Sequence, residues 1–596
     1  MKFILIAVNA VLIAIIAIMG SQWPPALFIL LLVGPVSILS IWSASNGSVS
    51  ASAVFVTTCV MAIGGIVVGS LFWPAAWYGL VVVGPVTLLG IMDMFQTKRA
   101  VLRNFPVIGH IRYFFEMIRP EMQQYFIESD IDGRPFNRED RSLVYQRAKG
   151  APDSLPFGTQ RDVYMSGYEW INHSMVPVRP REENPRVTIG EGRCAKPYSA
   201  SIFNISAMSF GSLSANAIKS LNIGAREGDF AHNTGEGSIS PHHLHGGDLI
   251  WQIGTGYFGC RAEDGGFDPE KFAECASQDV VKMIEIKISQ GAKPGHGGIL
   301  PAAKITPEIA AIRGVPMGQD VISPAAHTTF STPIELLEFV VQLRELSGGK
   351  PVGFKICVGK RREFLAICKA MLETGNCPDF ITVDGGEGGT GAAPFEFSNS
   401  LGCPLVDGLI FIHSSIVGIG LRDQIKIIAS GKVASGFGLT RMLALGADVC
   451  FAARSMMLSI GCIQARKCNN NECPVGIATQ NPSLMSGLNV GVKSRRVARY
   501  HAETIHAAGE LMGAAGLDSP EELRPWHITR RVSQLETRHY GEIGGYLEPG
   551  ALLQNEPPPS FAQAWNAASA STFAHVSHAP NGRVEPAESV EESAGV

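Results

Sequence analysis

The pattern of apolar and polar positions divides the chain near residue 95. Before it, apolar residues run almost unbroken: FILIAVNAVLIAIIAIMG (3–20), ALFILLLVGPVSILSIW (26–42), ASAVFVTTCVMAIGGIVVGSLFW (51–73) and WYGLVVVGPVTLLGIMDMF (77–95). Each is close to the roughly 20 residues that cross a bilayer as a helix. Between Lys2 and Lys98 the single charge is Asp93. Four such runs joined by uncharged loops predict about four transmembrane helices over 1–95. The alternatives are buried core helices, a cleaved signal peptide, or fewer spans with a re-entrant segment. Lys98, Arg99, Arg103, Arg112 and Arg119 follow at once. By the positive-inside rule they predict a multi-pass protein of the inner (plasma) membrane, with everything from about 96 onward in the cytoplasm.

Residues 96–185 are polar, aromatic and loop-rich, and are expected to form a connecting extension packed on the main domain. From 186 to 500 short strand-type runs recur: YSASIFNIS, KMIEIKIS, DVIS, VGFKICV, FITVDGG, IKIIASG and DVCFAAR. Helix-like stretches such as TPIELLEFVVQLREL and RREFLAICKAMLETG separate several of them. Repeated βα alternation predicts a parallel sheet. Many runs end in Gly, Ser or a charged residue, as in a (β/α)8 TIM barrel, whose site lies at the strand C-termini. The expected class is therefore α/β, a TIM barrel preceded by transmembrane helices, with a doubly wound sheet as the alternative. Residues 501–555 are expected to be a C-terminal helical segment. The Ala-, Ser-, Pro- and Glu-rich stretch 556–596 has little to bury and is expected to be a disordered tail.

Composition changes this picture little. A net charge of -4 with no basic stripe argues against nucleic acid as a partner. Twelve cysteines are too few for a disulfide scaffold in a chain this long. Nine are scattered, but Cys462, Cys468 and Cys473 fall within GCIQARKCNNNECPVG, spaced C-x5-C-x4-C without a fourth ligand nearby. A structural zinc ordinarily takes four ligands. Plain core cysteines fit poorly with so hydrophilic a context. An iron–sulfur cluster bound by thiolates fits better, either three irons or four with one open site.

Three further stretches carry candidate chemistry. In VDGGEGGTGAAP (383–394), Gly386, Gly388 and Gly391 satisfy GxGxxG, yet no helix pattern of a dinucleotide fold follows. A glycine loop above a barrel strand, open to a flat ring or a phosphate, is the better reading. IIASGKVASGFG (427–438) and VCFAARSM (449–456) would be the seventh and eighth strands with their loops, where barrels bind phosphate. There Ser430, Gly431 and Gly436 would allow close backbone approach and Arg454 would add charge; ordinary tight turns are the alternative. In KISQGAKPGHGGILPAAKITPEIAAIR (287–313), Lys287, Gln290, Lys293, Lys304 and Arg313 could hold an anionic substrate, the arginine as a carboxylate fork. A solvated surface loop is the alternative.

Together these motifs resemble a known family. SAMSFGSLS (206–214), NTGEG (233–237), EIKISQGAKPG (285–295), GGTGA (388–392) and GCIQARKCNNNECPVGIATQNP (461–482) look like the synthase domain of glutamate synthase, in that family's order over roughly 186–490. The resemblance implies a (β/α)8 barrel holding FMN beside a 3Fe-4S cluster. It implies reduction of 2-iminoglutarate, formed from 2-oxoglutarate and ammonia, to L-glutamate. By matching motif, Cys462, Cys468 and Cys473 would be cluster ligands. Met208 and Ser209 would lie against the flavin, and Lys355 would stabilise charge at its N1–C2 carbonyl edge. Gly388, Gly389, Gly391, Ser430, Gly431, Gly436 and Arg454 would face flavin and phosphate. Glu236, Gln290, Lys293 and Arg313 would surround the substrate, with Glu236 and Lys293 in catalytic roles.

Three departures from the family shape the expectation. Its usual PGEGGQLP reads PGHGGILP here, so His296 replaces a carboxylate and Ile299 replaces an amide. The glutaminase domain is missing, so nitrogen is expected from free ammonia, an amine or a separate glutaminase subunit. The C-terminal glycine-repeat domain and an NADPH-binding subunit are also missing, so electrons are expected from outside, through ferredoxin, a reductase subunit or a membrane carrier. Two rivals stand beside the main reading. One is an FMN and iron–sulfur oxidoreductase of the same fold acting on another 2-oxo acid, an amino acid or a methylated amine. The other is a membrane electron-transfer or assembly subunit.

Overall fold

A computed structural model describes residues 50–179 and 184–574. They divide into two compact units, with the boundary between Ser129 and Asp130. In the first unit, two helices are long and apolar enough to cross a membrane, Ala51–Phe72 and Pro74–Phe95. The expected spans 3–20 and 26–42 lie outside the described residues. Asp93, in the last turn of the second helix, is buried and accepts hydrogen bonds from the Val107 amide at 2.8 Å and from His110 Nε2 at 2.9 Å. Two short helices follow, Ala100–Asn104 and Gly109–Met122, and then one π-helical turn, Gln123–Ile127.

The second unit is built on a closed parallel barrel. Its strands in chain order are β1 (Glu169–Ile171), β2 (Arg186–Ile189), β3 (Tyr198–Ser201), β4 (Phe203–Ile205), β5 (His232–Asn233), β6 (Leu249–Ile253) and β7 (Val281–Lys287). There follow β8 (Ile299–Leu300), β9 (Val321–Ile322), β10 (Val352–Ile356), β11 (Phe380–Asp384), β12 (Lys426–Ser430), β13 (Val449–Ala452), β14 (Ile528–Arg531) and β15 (Thr537–His539). The barrel runs β4–β5–β6–β7–β10–β11–β12–β13 and closes on β4. The runs at 427 and 449 are indeed the seventh and eighth barrel strands. DVIS is not a barrel strand: β9 pairs antiparallel with β8 in the long loop after β7. The second and third barrel strands are instead β5, only two residues long, and β6.

Strand periodicity sorts the barrel interior into layers. Ile250, Met283, Phe380, Ile428 and Val449 pack together as the lowest, plugged by Ile189, Tyr198 and Ala200 of the β2–β3 hairpin. Two residues further along β7, the carboxylate of Glu285 replaces the apolar side chain. It is saturated by Asn233 Nδ2 at 2.8 Å, Gln252 Nε2 at 2.5 Å and Thr382 Oγ1 at 2.7 Å. Two residues further again are Lys287 and, on β11, Asp384. The interior thus passes from apolar to polar to charged as the strands approach their C-terminal ends.

The remaining chain braces this barrel. Asn137 caps the helix Arg138–Lys149, accepting from the Asp140 amide at 2.7 Å, and Gly150 ends it at a φ of 66°. The long helix Val490–Ala514 crosses the expected boundary at 500 and packs on the helix Ala215–Glu227. Residues 501–555 are not only helical. The hairpin β14–β15 pairs with β1 from the extension, and buried Glu169 binds Arg441, Arg530 and Tyr540 there. The tail expectation also needs correction. Residues 559–566 form a helix whose Phe561 is buried and stacks on Phe411, ring centroids 5.5 Å apart. One aromatic anchor docks this segment because the barrel helices supply the rest of the apolar surface.

Candidate active site

The charged layer opens into a cavity of ≈ 1310 Å³ at the C-terminal ends of the strands. Four stretches from distant parts of the chain converge on it: 207–213, 287–304, 386–393 and 453–478. The first follows β4 and presents Met208 and Ser209. The second is the long loop after β7. Its chain can fold inward because Gly291 lies against the glycine loop, where any Cβ would run into the Gly385 carbonyl. The Gly291 amide donates to Asp384 Oδ2 at 3.0 Å, so that carboxylate ties the two loops together.

One wall holds a compact charge cluster. Lys287 Nζ donates to Glu236 Oε1 at 2.6 Å. Burial alone would push the Glu236 carboxyl up, but Lys287, Lys293 and Arg313 outweigh it and hold it below the ordinary value. Burial pushes the Lys293 ammonium down to about 8, against the pull of Glu236 and with the help of Lys287. Arg313 is buried; its Nη2 donates to the Phe210 carbonyl at 2.8 Å and its guanidinium lies 5.2 Å from the centre of the Phe258 ring. Desolvation lowers it to about 10, opposed by Glu236, so it stays charged at neutral pH. Gln290 Nε2 and Arg313 Nε are buried without a protein partner. Unsatisfied donors of this kind on a cavity wall await an acceptor.

A second part of the lining carries Cys462, Cys468 and Cys473, all three on the cavity. Their loop holds Gln464, Arg466 and Asn471 at φ values of 56°, 56° and 65°. Left-handed backbone at two long side chains is strained, and such strain gathers at functional loops. Side chains from the extension hold the loop: Tyr145 OH donates to the Cys462 carbonyl at 2.6 Å, and the Phe136 amide donates to Gln464 Oε1 at 3.0 Å. Burial raises the Cys462 thiol to about 12, although the Gln464 amide donates to its sulfur at 3.4 Å. Buried Lys304 donates to the Ser212 carbonyl at 3.0 Å, and its charge acts on Cys468 and Cys473. Among the described residues no three His, Cys, Asp or Glu side chains converge on one ion position.

The glycine loop lines the same cavity. Gly388, Gly389 and Gly391 line the cavity with backbone, and a Cβ on Gly389 would stand 2.6 Å from Arg454 Nε. The helix that directly follows, Phe395–Ser400, is six residues long and the next begins only at Leu405, so the loop does not open a long helix as a dinucleotide fingerprint does. Arg454 lines the cavity and donates to the Glu387 carbonyl at 2.9 Å.

Four expected residues stand elsewhere. Lys355 is buried off the cavity, ion-paired with Asp384 at 3.1 Å; burial disfavours its ammonium, but Asp384, Glu285 and Glu236 more than compensate and hold it above the ordinary value. Ser430 Oγ bonds to Ser206 Oγ at 3.1 Å in the barrel wall. Gly431 lies against Leu405, and Gly436 lets its helix approach the helix Val490–Ala514, where a Cβ would be 2.7 Å from the Ala508 nitrogen. These two glycines serve packing. Lys432, Phe258 and Gln464 line the cavity and were not among the expected site residues. Lys432 was findable, since it directly follows Gly431 in the predicted phosphate loop.

Comparison with known sequences places this geometry. The family model of a conserved region in glutamate synthase matches residues 172–518. The chain belongs to the glutamate synthase family. Its cavity is therefore that of an oxidoreductase family. The glutamate synthase large subunit-like protein YerD of Bacillus subtilis is 37% identical over 483 residues, 74% of this chain and 91% of that protein. The archaeal glutamate synthase (NADPH) of Methanocaldococcus jannaschii is 37% identical over 325 residues, 54% of this chain and 60% of that one. The glutamate synthase (NADPH) large chain of B. subtilis is 32% identical over 291 residues, 47% of this chain but 18% of that chain. This member of the glutamate synthase family thus spans nearly all of the first relative, three fifths of the second and under a fifth of the third.

Proposed function

We propose that the chain catalyses reductive amination of 2-oxoglutarate to L-glutamate in the barrel-mouth cavity. The observation that carries the reading is the charge balance of one wall. Three cations, Lys287, Lys293 and Arg313, surround a single carboxylate, Glu236. A surplus of two positive charges matches a substrate with two carboxylates. The reaction joins the 2-oxo acid to ammonia, releases water, and adds two electrons and two protons across the C=N bond.

FMN held by the Met208–Ser209 segment, the loop 388–391, Lys432 and Arg454 would supply the hydride, and a 3Fe-4S cluster on Cys462, Cys468 and Cys473 would supply single electrons. The donors present fit both groups: backbone amides and two cations for a phosphate-bearing flavin, and three thiols with a nearby ammonium for the cluster. Arg313, fixed by Phe210 and Phe258, presents its remaining edge to a carboxylate. Gln290 donates to the substrate through its free amide. Glu236 stays ionised and holds ammonium beside the carbonyl carbon. Lys293, charged at neutral pH although its ammonium is lowered to about 8, gives a proton to the carbonyl oxygen as water leaves and takes one back from the attacking nitrogen. Lys355 stays protonated beneath the cavity and keeps Asp384 in place to tie the two loops.

Nitrogen would come from free ammonia, an amine or a separate glutaminase, and electrons from a ferredoxin or reductase subunit. The helices Ala51–Phe72 and Pro74–Phe95 support membrane anchoring through residues 1–95. Turnover of the purified full chain with 2-oxoglutarate, ammonia and reduced methyl viologen should yield L-glutamate. Purified protein should show a flavin spectrum and the EPR signal of an oxidised three-iron cluster; a colourless protein containing zinc overturns the cofactor assignment. A second reading, another 2-oxo acid with an apolar side chain, is favoured by Ile299 and Pro301 on the cavity wall. Amination of such an acid without glutamate formation would decide for it.

A further inference from the structure

The helix Gly109–Met122 is amphipathic to a degree the barrel does not require. Ile111, Phe114, Phe115, Ile118 and Met122 recur at i, i+3, i+4, i+7 and i+11, one stripe of an α-helix. Arg112, Glu116, Arg119 and Gln123 recur on a flanking polar face. A surface helix normally turns its apolar stripe to a core. Here Phe114 and Phe115 are 53% and 59% exposed, and the π-helical turn that follows adds Phe126 and Ile127 at 77% and 65%. So large an exposed aromatic face marks an interaction surface.

Three observations identify the occupant. The helix belongs to the compact unit of the two membrane-length helices, not to the barrel unit. It begins only fourteen residues after Phe95, the end of the second of them. Residues 96–127 carry five basic side chains, Lys98, Arg99, Arg103, Arg112 and Arg119, against two acidic ones, Glu116 and Glu121. Basic residues along the polar face with aromatics on the other are the signature of a helix lying in a bilayer interface. The burial of Asp93 strengthens the placement, because the carboxylate pins the 107–110 turn to the end of the apolar helix through Val107 and His110. The chain thus leaves the second helix by a fixed corner.

We infer that the segment 109–127 lies in the membrane interface, its Phe114–Phe115–Phe126 face among lipid tails and its arginines on anionic phospholipid headgroups. The inference rests on the membrane-anchoring reading above.

The test uses the full chain in vesicles of phosphatidylethanolamine and phosphatidylglycerol. The photoreactive residue p-benzoylphenylalanine replaces Phe115, Phe126 or, on the polar face, Glu116. Lipid adducts from positions 115 and 126 at several-fold the yield from 116 are expected. Adducts from 115 to residues 130–574 or to a second copy, or equal labelling at the three positions, overturn the inference. Replacing phosphatidylglycerol by phosphatidylcholine should lower the yield severalfold; no change overturns the headgroup contact. Carbonate extraction of the same membranes separates the two readings. A chain released by carbonate refutes the anchor itself, whereas a retained chain without lipid adducts refutes only the interfacial helix.

Discussion

The two walls of the cavity are built on different principles. The wall of Glu236, Lys287, Lys293 and Arg313 is already set in the protein alone: its carboxylate is ion-paired at 2.6 Å and its arginine is held by a carbonyl and a ring, with Arg313 Nε left for a ligand. The cysteine wall is not. Burial raises the Cys462 thiol to about 12 and also raises that of Cys468, and their loop keeps strained backbone at Gln464 and Arg466. A preorganised wall can read a substrate by charge at once. A wall of buried thiols becomes a ligand set only when a metal displaces the protons. On the proposed reading the difference divides the labour: one wall would recognise, and the other would first have to be loaded.

The largest break in this contrast should follow from removing a thiol. Cys468→Ser should abolish the three-iron EPR signal and amination with a protein electron donor. Substrate affinity should survive, because Cys468 is not among the groups that act on Glu236, Lys293 or Arg313. If binding of a 2-oxo acid is lost along with the iron, the two walls are not separate and the comparison fails.

Arg313→Ala should act on the other wall alone. It removes a buried cation and leaves Glu236 with less compensation. Truncating one member of a buried charge network costs ~3 kcal/mol, or roughly 10²-fold in kcat/KM for the 2-oxo acid. Iron content and the flavin spectrum should be unchanged. Arg313→Lys should recover only part of the loss, since an ammonium cannot form the two-pronged contact.

How much of this was legible in the sequence follows from the same contrast. The barrel was legible because strand ends change from apolar to charged in register with a period of two, as at Met283, Glu285 and Lys287. The cysteine loop was legible as a group, since three cysteines within twelve residues stand out from nine scattered ones, and all three line one cavity. β5 was missed because His232–Asn233 is too short to show any period. DVIS was misplaced because an apolar run looks the same in a barrel strand and in a two-residue pairing. Gly431 and Gly436 misled because a glycine leaves one mark for two uses, close packing and ligand approach. Nothing local shows that Tyr145 and Phe136 steady Cys462 and Gln464, more than 300 residues away. The helix of 559–566 was hidden because most of its apolar surface belongs to its partner.

Lys293 gives the preorganised wall a pH signature. Its ammonium is lowered from the ordinary lysine value to about 8, so it is charged below that pH and neutral above it. Affinity for a dianionic competitive inhibitor should hold to about pH 8. Above that it should fall by up to ~10-fold per pH unit, as expected for one required proton. Lys293→Met should bind weakly at every pH and lose this limb. A variant that keeps the limb would assign it to another group and remove Lys293 from the recognition wall.

The smallest expected effect concerns Ile299, where the family's amide is replaced. Ile299 is half-buried on the cavity, in the two-residue pairing with β9. Its backbone is fixed by that pairing, so exchanging the side chain should not disturb the loop. Ile299→Gln adds one hydrogen-bonding group within reach of the substrate region. A single neutral hydrogen bond contributes ~1 kcal/mol, or about fivefold. If 2-oxoglutarate is the substrate, its KM should fall by about that factor, with kcat nearly constant because the contact is made equally in ground and transition states. If the native wall is instead shaped for an apolar 2-oxo acid, the same change should raise KM for that acid and leave 2-oxoglutarate unused. Both outcomes leave the cysteine wall untouched, so any change in the cluster signal would mean that substrate recognition and electron delivery are coupled through the loop that carries Ile299 and Lys304.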